Sequence, residues 1–122
     1  MASTVPDIPG VPPFAVEVTY PRPGVVVLSV HGELDMLTTW PLEEHLDEQL
    51  PAATERLVLD LTEVSFLGTS ALGALVRTHR GLPPGRQLRL VCSPVALNAL
   101  QMTALDTLLH IDSSLSEALD DA

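Results

Sequence analysis

The chain has 122 residues, 46% of them hydrophobic and 3% aromatic, with 16 acidic against 6 basic residues and a formal net charge of −10. That length suits one domain, and that composition predicts a packed globule cored by Leu, Val and Ala. The charge argues against duplex DNA, RNA or an anionic membrane as partner, and fits a basic protein surface or simple solubility.

Residues 1–13 hold Pro6, Pro9, Pro12 and Pro13 with little periodicity, which predicts a flexible or extended Pro-rich leader before a domain spanning residues 14–122. Residues 14–20 alternate at period two and read as a first strand. Pro21-Arg22-Pro23-Gly24 reads as a turn, and residues 25–30 as a second strand, so the two pair as a hairpin. Gly32 ends that strand and Glu33-Leu34-Asp35 leads outward. Thr38 or Thr39 is placed to cap a first helix whose first turn tolerates Pro41. Leu42, Leu46 and Leu50 fall on one face of it, with Glu43, Glu44, Asp47 and Glu48 largely around the other.

Residues 57–61 are a short apolar run typical of a central strand. After the segment 62–68, Leu72, Leu75 and Val76 mark the buried face of a second helix, stopped by Gly81-Leu82-Pro83-Pro84-Gly85. Residues 88–92 form the next strand. Pro94 suits the start of a third helix carrying Val95, Leu97 and Leu100. Residues 108–111 read as a short edge strand. Ser114 with Glu117 three residues on is a capping-box pattern opening a last helix through Leu119. The order β, β, α, β, α, β, α, β, α predicts an α/β fold: a mixed, mostly parallel sheet opened by a hairpin, with right-handed crossovers and about four helices.

Signatures of catalytic chemistry are sparse. There is no Gly-x-x-x-x-Gly-Lys phosphate loop and no Gly-x-Gly-x-x-Gly fingerprint. His31, His45, His79 and His110 are scattered, and none stands at metal-ligand spacing with Cys92. Cys92 is the single cysteine, so no intramolecular disulfide forms and a reducing compartment is natural; at a strand end it reads as a small buried hydrophobe. Asp60 reads as an edge or locally paired residue. No secretory apolar region follows Met1, and no apolar run reaches membrane-span length. The expectation is a cytoplasmic protein that is not an enzyme and needs no cofactor or metal. An enzyme using Cys92 or Asp35 is the rival from another class, with no acid–base set in view for either.

The stretch 57–80 is the most informative. A buried strand runs out to Gly68-Thr69-Ser70 and enters a helix at once, so two hydroxyls stand where unpaired N–H groups and the helix dipole favour negative charge. The plain structural account is that Thr69 or Ser70 is the N-cap. Asp35 ends the neighbouring strand, as a turn aspartate or as part of the same site.

At these residues the sequence resembles the STAS family, in particular the small bacterial anti-sigma factor antagonists. The family pattern is an apolar strand, Asp-Leu, a few residues, then Phe-x-Asp-Ser-Ser-Gly-Leu-Gly. It is similar to Leu59-Asp60-Leu61-Thr62-Glu63-Val64-Ser65-Phe66-Leu67-Gly68-Thr69-Ser70-Ala71-Leu72-Gly73. Gly32-Glu33-Leu34-Asp35 resembles the family's Gly-x-Leu-Asp, and Thr103-Ala104-Leu105-Asp106 its Thr-Gly-Leu-Asp. The likeness covers about residues 14–119.

The resemblance implies a protein that binds an anti-sigma factor, itself a serine/threonine kinase, and frees the sigma factor it holds. The kinase then phosphorylates the hydroxyl that starts the second helix, ending the binding, and a serine phosphatase restores it. By position that acceptor is Thr69, with Ser70 as second choice, and Asp35 matches the acidic residue beside it. The implied contact set is Asp35, Leu67, Gly68, Thr69, Ser70, Ala71 and Gly73. The chain departs from the pattern here: Gly68 stands for the usual Asp, Thr69 for Ser and Ala71 for Gly. The alternative is an interaction module that is never phosphorylated and scaffolds a signalling, lipid-transport or transporter complex. No oligomeric state is implied.

Overall fold

The computed structural model describes residues 2–4 and 14–120, with side chains described from residue 14 onward. Strands β1 (Ala2–Thr4), β2 (Phe14–Arg22), β3 (Val25–Leu34), β4 (Arg56–Leu67), β5 (Gln87–Cys92) and β6 (His110–Asp112) form one sheet whose spatial order follows the chain. β1–β2 and β2–β3 pair antiparallel, and β3 through β6 pair parallel. The parallel strands are joined through α1 (Met36–Gln49), α2 (Thr69–Gly81) and α3 (Pro94–Met102), and α4 (Leu115–Leu119) follows β6. Part of the expected leader thus contributes a three-residue strand; residues 5–13 lie outside the described residues.

Period-two alternation divides the core. β3 turns Val26, Leu28 and Val30 towards the side that holds Leu42 and Leu46 of α1, Leu72 and Leu75 of α2, and Ala96 and Leu100 of α3. Its other face presents Val25 and Val27, which join Val58, Val91 and the α4 residues Leu115, Ala118 and Leu119 in a smaller cluster. Each buried Val or Leu contributes about 1.5–3 kcal/mol, so the larger cluster dominates stability. α4 is too short to hold itself. Arg22 donates to Leu119 O at 2.7 Å, and buried Arg56 donates to Ala118 O and Asp120 O, both at 2.8 Å. These are the carbonyls a helix end leaves unpaired.

The elements run longer than expected except β6, which starts at His110 rather than residue 108 because a 3-10 turn at Leu105–Thr107 ends on Leu108. β2 takes in Pro21 and Arg22 because Pro21 falls in the register shift between Thr19 and Arg22, where its missing N–H breaks no regular pair. β3 passes through Gly32, which adopts a φ of 108° that other residues avoid, and continues to Leu34. The first helix starts earlier as well. Asp35 is its cap rather than Thr38 or Thr39, which puts Pro41 in the second turn. In α2 the buried residues are Ala71, Leu72, Ala74 and Leu75, with Val76 only partly covered. In α3, Val95 is exposed and Ala96 is buried instead. At α4, Ser114 accepts from the Glu117 N–H at 3.1 Å as expected, but the Glu117 carboxylate binds Ser113 rather than closing the box on Ser114.

Candidate functional site

The site begins with two strands that end side by side. Leu34 of β3 pairs with Leu67 of β4, and the Gly68 N–H donates to Leu34 O at 2.9 Å. The next residue of each strand, Asp35 and Gly68, is extended and is the N-cap of a helix. Two helix N-termini therefore open together at the carboxyl ends of parallel strands, where open α/β sheets commonly bind their ligands.

The two starts differ. At α1 the Asp35 carboxylate accepts from the N–H groups of Leu37 and Thr38 at 2.9 and 3.1 Å, and Thr38 Oγ1 accepts from the Asp35 N–H at 2.9 Å. That is a closed capping box, which uses the amides of the first turn. At α2 the cap is Gly68, not Thr69 or Ser70, and no side chain caps the helix. Thr69 is the first helical residue, its side chain in an exposed position, and Ser70 is half-buried.

β4 carries two more residues than β3 over the paired stretch, with register shifts between Ser29 and His31 and between Gly32 and Glu33. Burial along β4 accordingly changes from a continuous run over residues 56–59 to period three, with Leu61, Val64 and Leu67 buried. Such bulges re-aim side chains. Here they leave Phe66 47% exposed. A Cβ on Gly68 would lie 3.1 Å from Phe66 Cε2 and 3.4 Å from Leu34 O, so the ring leans over the turn.

Met36, Leu37 and Trp40 of α1 are 83%, 68% and 66% exposed, and Met36, Trp40 and Phe66 flank the turn with apolar surface. Open grooves run beside Thr69. One of about 400 Å³ includes Trp40, Glu43, Ser70, Gly73 and Arg77. Another of about 410 Å³ includes Asp35, Met36, Phe66 and Gly68. A third, of about 470 Å³, reaches Leu72, Val76, Thr103 and Leu105. The third family-like motif is thereby brought to the first two. Its Ala104 sits at φ 59°, the left-handed region where the family's Gly would be unstrained.

Asp35, Gly68, Thr69, Ser70 and Gly73 all line these grooves. Ala71 is fully buried and Leu67 nearly so, and both belong to the main core. Sequence reasoning missed Met36, Trp40 and Arg77, and it placed Phe66 in the turn 66–73 without giving it a contact role. A signal was present in α1: Met36 and Trp40 are one turn apart and lie off the Leu42–Leu46 stripe.

The other candidates lie elsewhere. Burial pushes the Cys92 thiol up to about 11, with the charge of Asp60 adding to it, so it is protonated at neutral pH. Asp60 accepts from the N–H and hydroxyl of Thr62 at 3.1 and 2.7 Å, a local pairing. Among the described residues no three His, Cys, Asp or Glu side chains are grouped to hold a metal, and no helix is long and apolar enough to cross a membrane.

Comparison with known proteins agrees with this geometry. The STAS domain family model matches residues 18–118. The anti-sigma-F factor antagonist RsfB of Mycobacterium tuberculosis is 33% identical over 97 residues, covering 79% of this chain and 80% of that protein. The crystal structure of an anti-sigma factor antagonist from Mycobacterium paratuberculosis superposes with a TM-score of 0.81 at 31% identity, over 87% of this chain and 91% of that one. The Bacillus cell fate determinant SpoIIAA, solved in its phosphorylated form, shares the fold with a TM-score of 0.65 at 19% identity, over 86% and 96% of the two chains.

Proposed function

Since the chain belongs to the STAS domain family, we propose that it is an anti-sigma factor antagonist whose partner is a serine/threonine kinase and whose switch is phosphorylation of Thr69. The observation that carries this reading is an exposed hydroxyl-bearing residue at the first position of α2, with no side-chain cap and exposed Met36, Trp40 and Phe66 around it. Large apolar side chains on a surface are a docking feature, and aromatic ones anchor protein interfaces. Asp35, Leu67, Gly68, Ser70, Ala71 and Gly73 form the contacting turn, Leu67 and Ala71 by fixing its shape from below.

Phosphate adds about −1.5 to −2 charges at neutral pH. On Thr69 it would sit by the open amides and positive dipole end of α2, so the fold tolerates it. At an apolar interface the same dianion must be desolvated, which is costly without a new partner. The switch therefore works on binding and leaves folding intact. A phosphatase acting on this exposed position would reset it, and the cytoplasm is where such a system would operate.

The test mixes the protein with candidate anti-sigma kinases and ATP, reading intact mass and complex formation. Thr69→Ala should bind and stay unmodified. Thr69→Glu should weaken binding by about tenfold or more. Modification that persists in Thr69→Ala moves the acceptor to Ser70 or elsewhere. Binding untouched by Thr69→Glu removes the charge switch and favours the second reading, an unphosphorylated interaction module, to which the missing acidic residue at Gly68 also points.

A further inference from the structure

The grooves beside Thr69 contain one cation among their described lining residues, Arg77, and it is held in a particular place. Side chains on a helix lean towards its N-terminus. Arg77 follows that rule: its Nη1 lies 3.2 Å from where a Cβ on Gly73 would stand. The guanidinium thus covers the turn of α2 between its own Cα and the helix start, and glycine is what leaves room for it. Across the groove it pairs with Glu43 of α1, Nη2 to Oε2 at 3.1 Å, with the arginine side chain 63% exposed. An ion pair that exposed is held weakly, by about 0.2–1 kcal/mol at most in comparable cases, and exchanges readily.

Resting on the reading of Thr69 as the acceptor, we propose that Arg77 is the receptor for the phosphoryl group within the same chain, releasing Glu43 to bind it. Arg77 lines two of the three grooves that Thr69 lines, one facing α1 and one reaching Thr103 and Leu105, so it borders the space a phosphate on Thr69 would enter on both. Guanidinium prefers a phosphate dianion to a single carboxylate, since it can offer parallel donors to two oxygens of higher charge. The exchange has a consequence for docking. Before modification, Arg77 and Glu43 cancel. Afterwards the phosphate takes the arginine, and Glu43 stands uncompensated in the groove that Trp40 also lines. Modification would then change the α1 side of the docking surface as well as the α2 side. It would also cut an ion pair that links the two helices.

The test installs phosphothreonine in place of Thr69 by genetic code expansion, so that no kinase is involved, and follows its phosphorus NMR signal against pH. A facing guanidinium favours the dianion, so the second ionisation should occur about half a unit lower in the otherwise unaltered chain than in Arg77→Ala, with Arg77→Lys between them. Glu43→Gln, which frees Arg77, should lower it further. Equal midpoints with and without the Arg77 guanidinium would overturn the proposal. The functional reading fails separately: a kinase that never modifies Thr69 would sink it without moving this titration. Equal midpoints beside a positive kinase assay would sink only the role of Arg77.

Discussion

Gly68 decides how the turn is built. A glycine N-cap gives α2 no side-chain acceptor, and the Phe66 ring fills part of the space a side chain would use. Gly68→Asp, the residue usual in the family pattern, would cap the helix and place a negative charge at its positive end, a gain of a few tenths of a kcal/mol over glycine. Its Cβ would press on the ring, which is half-exposed and can give way. Thermal unfolding should therefore show a small gain for Gly68→Asp and a larger gain from the same substitution made on a Phe66→Leu background. Equal gains in the two backgrounds would mean that the ring contact carries no cost. The position of Thr69 was legible in the sequence because strand, turn and helix are contiguous there. The lean of Phe66 over Gly68 was not, because it follows from the two residues by which β4 outruns β3.

At the scale of elements, the short edge strand β6 is held by one buried pair. Asp112 is 4% exposed and receives Arg89 Nε at 2.9 Å and Arg89 Nη2 at 3.3 Å, with His110 Nε2 3.2 Å away. Burial pushes its carboxyl up, but the hydrogen bond and charge of Arg89, helped by His110, outweigh this and hold it below its ordinary value of 3.8. A depressed folded-state value means stability that is present above the ordinary carboxylate pKa and lost as pH falls through the folded one. Asp112→Asn should cost about 2–3 kcal/mol at neutral pH, since it strands a largely buried arginine. The variant should also lack the part of the acid destabilisation that the parent shows below about pH 4. Denaturant unfolding across that range checks both, and parallel pH curves for parent and variant would contradict the assignment. Strand and helix order could be read from periodicity, whereas Arg89 and Asp112 stand 23 residues apart and only the β5–β6 register brings them together. The capping of α1 is hidden in the sequence for a related reason. Thr38 and Asp35 both cap by composition, and only the joint geometry makes Asp35 the cap and Thr38, the third residue of the helix, its capping-box partner.

For the whole molecule, 16 acidic residues against 6 arginines leave a net charge of −10. Much of the arginine is already committed: Arg22, Arg56 and Arg86 donate to backbone carbonyls, and Arg89 to Asp112. Self-repulsion among the remaining carboxylates should dominate long-range electrostatics. Raising salt from about 0.01 M to about 0.15 M shortens the screening length from about 30 Å to about 8 Å, so Tm should rise over that range. A fall would mean that screened surface attractions outweigh the repulsion.

The strand order has a further consequence. Each strand's neighbour in the sheet is also its neighbour along the chain. During synthesis, the β2–β3 hairpin can close before any later segment has left the ribosome. Every strand after it then meets an edge already in place, and α1 and α3 pack on strands made before them, α1 on β3 and α3 on β4. No segment has to wait for a distant one or be threaded between two others, so sheet assembly can keep pace with translation.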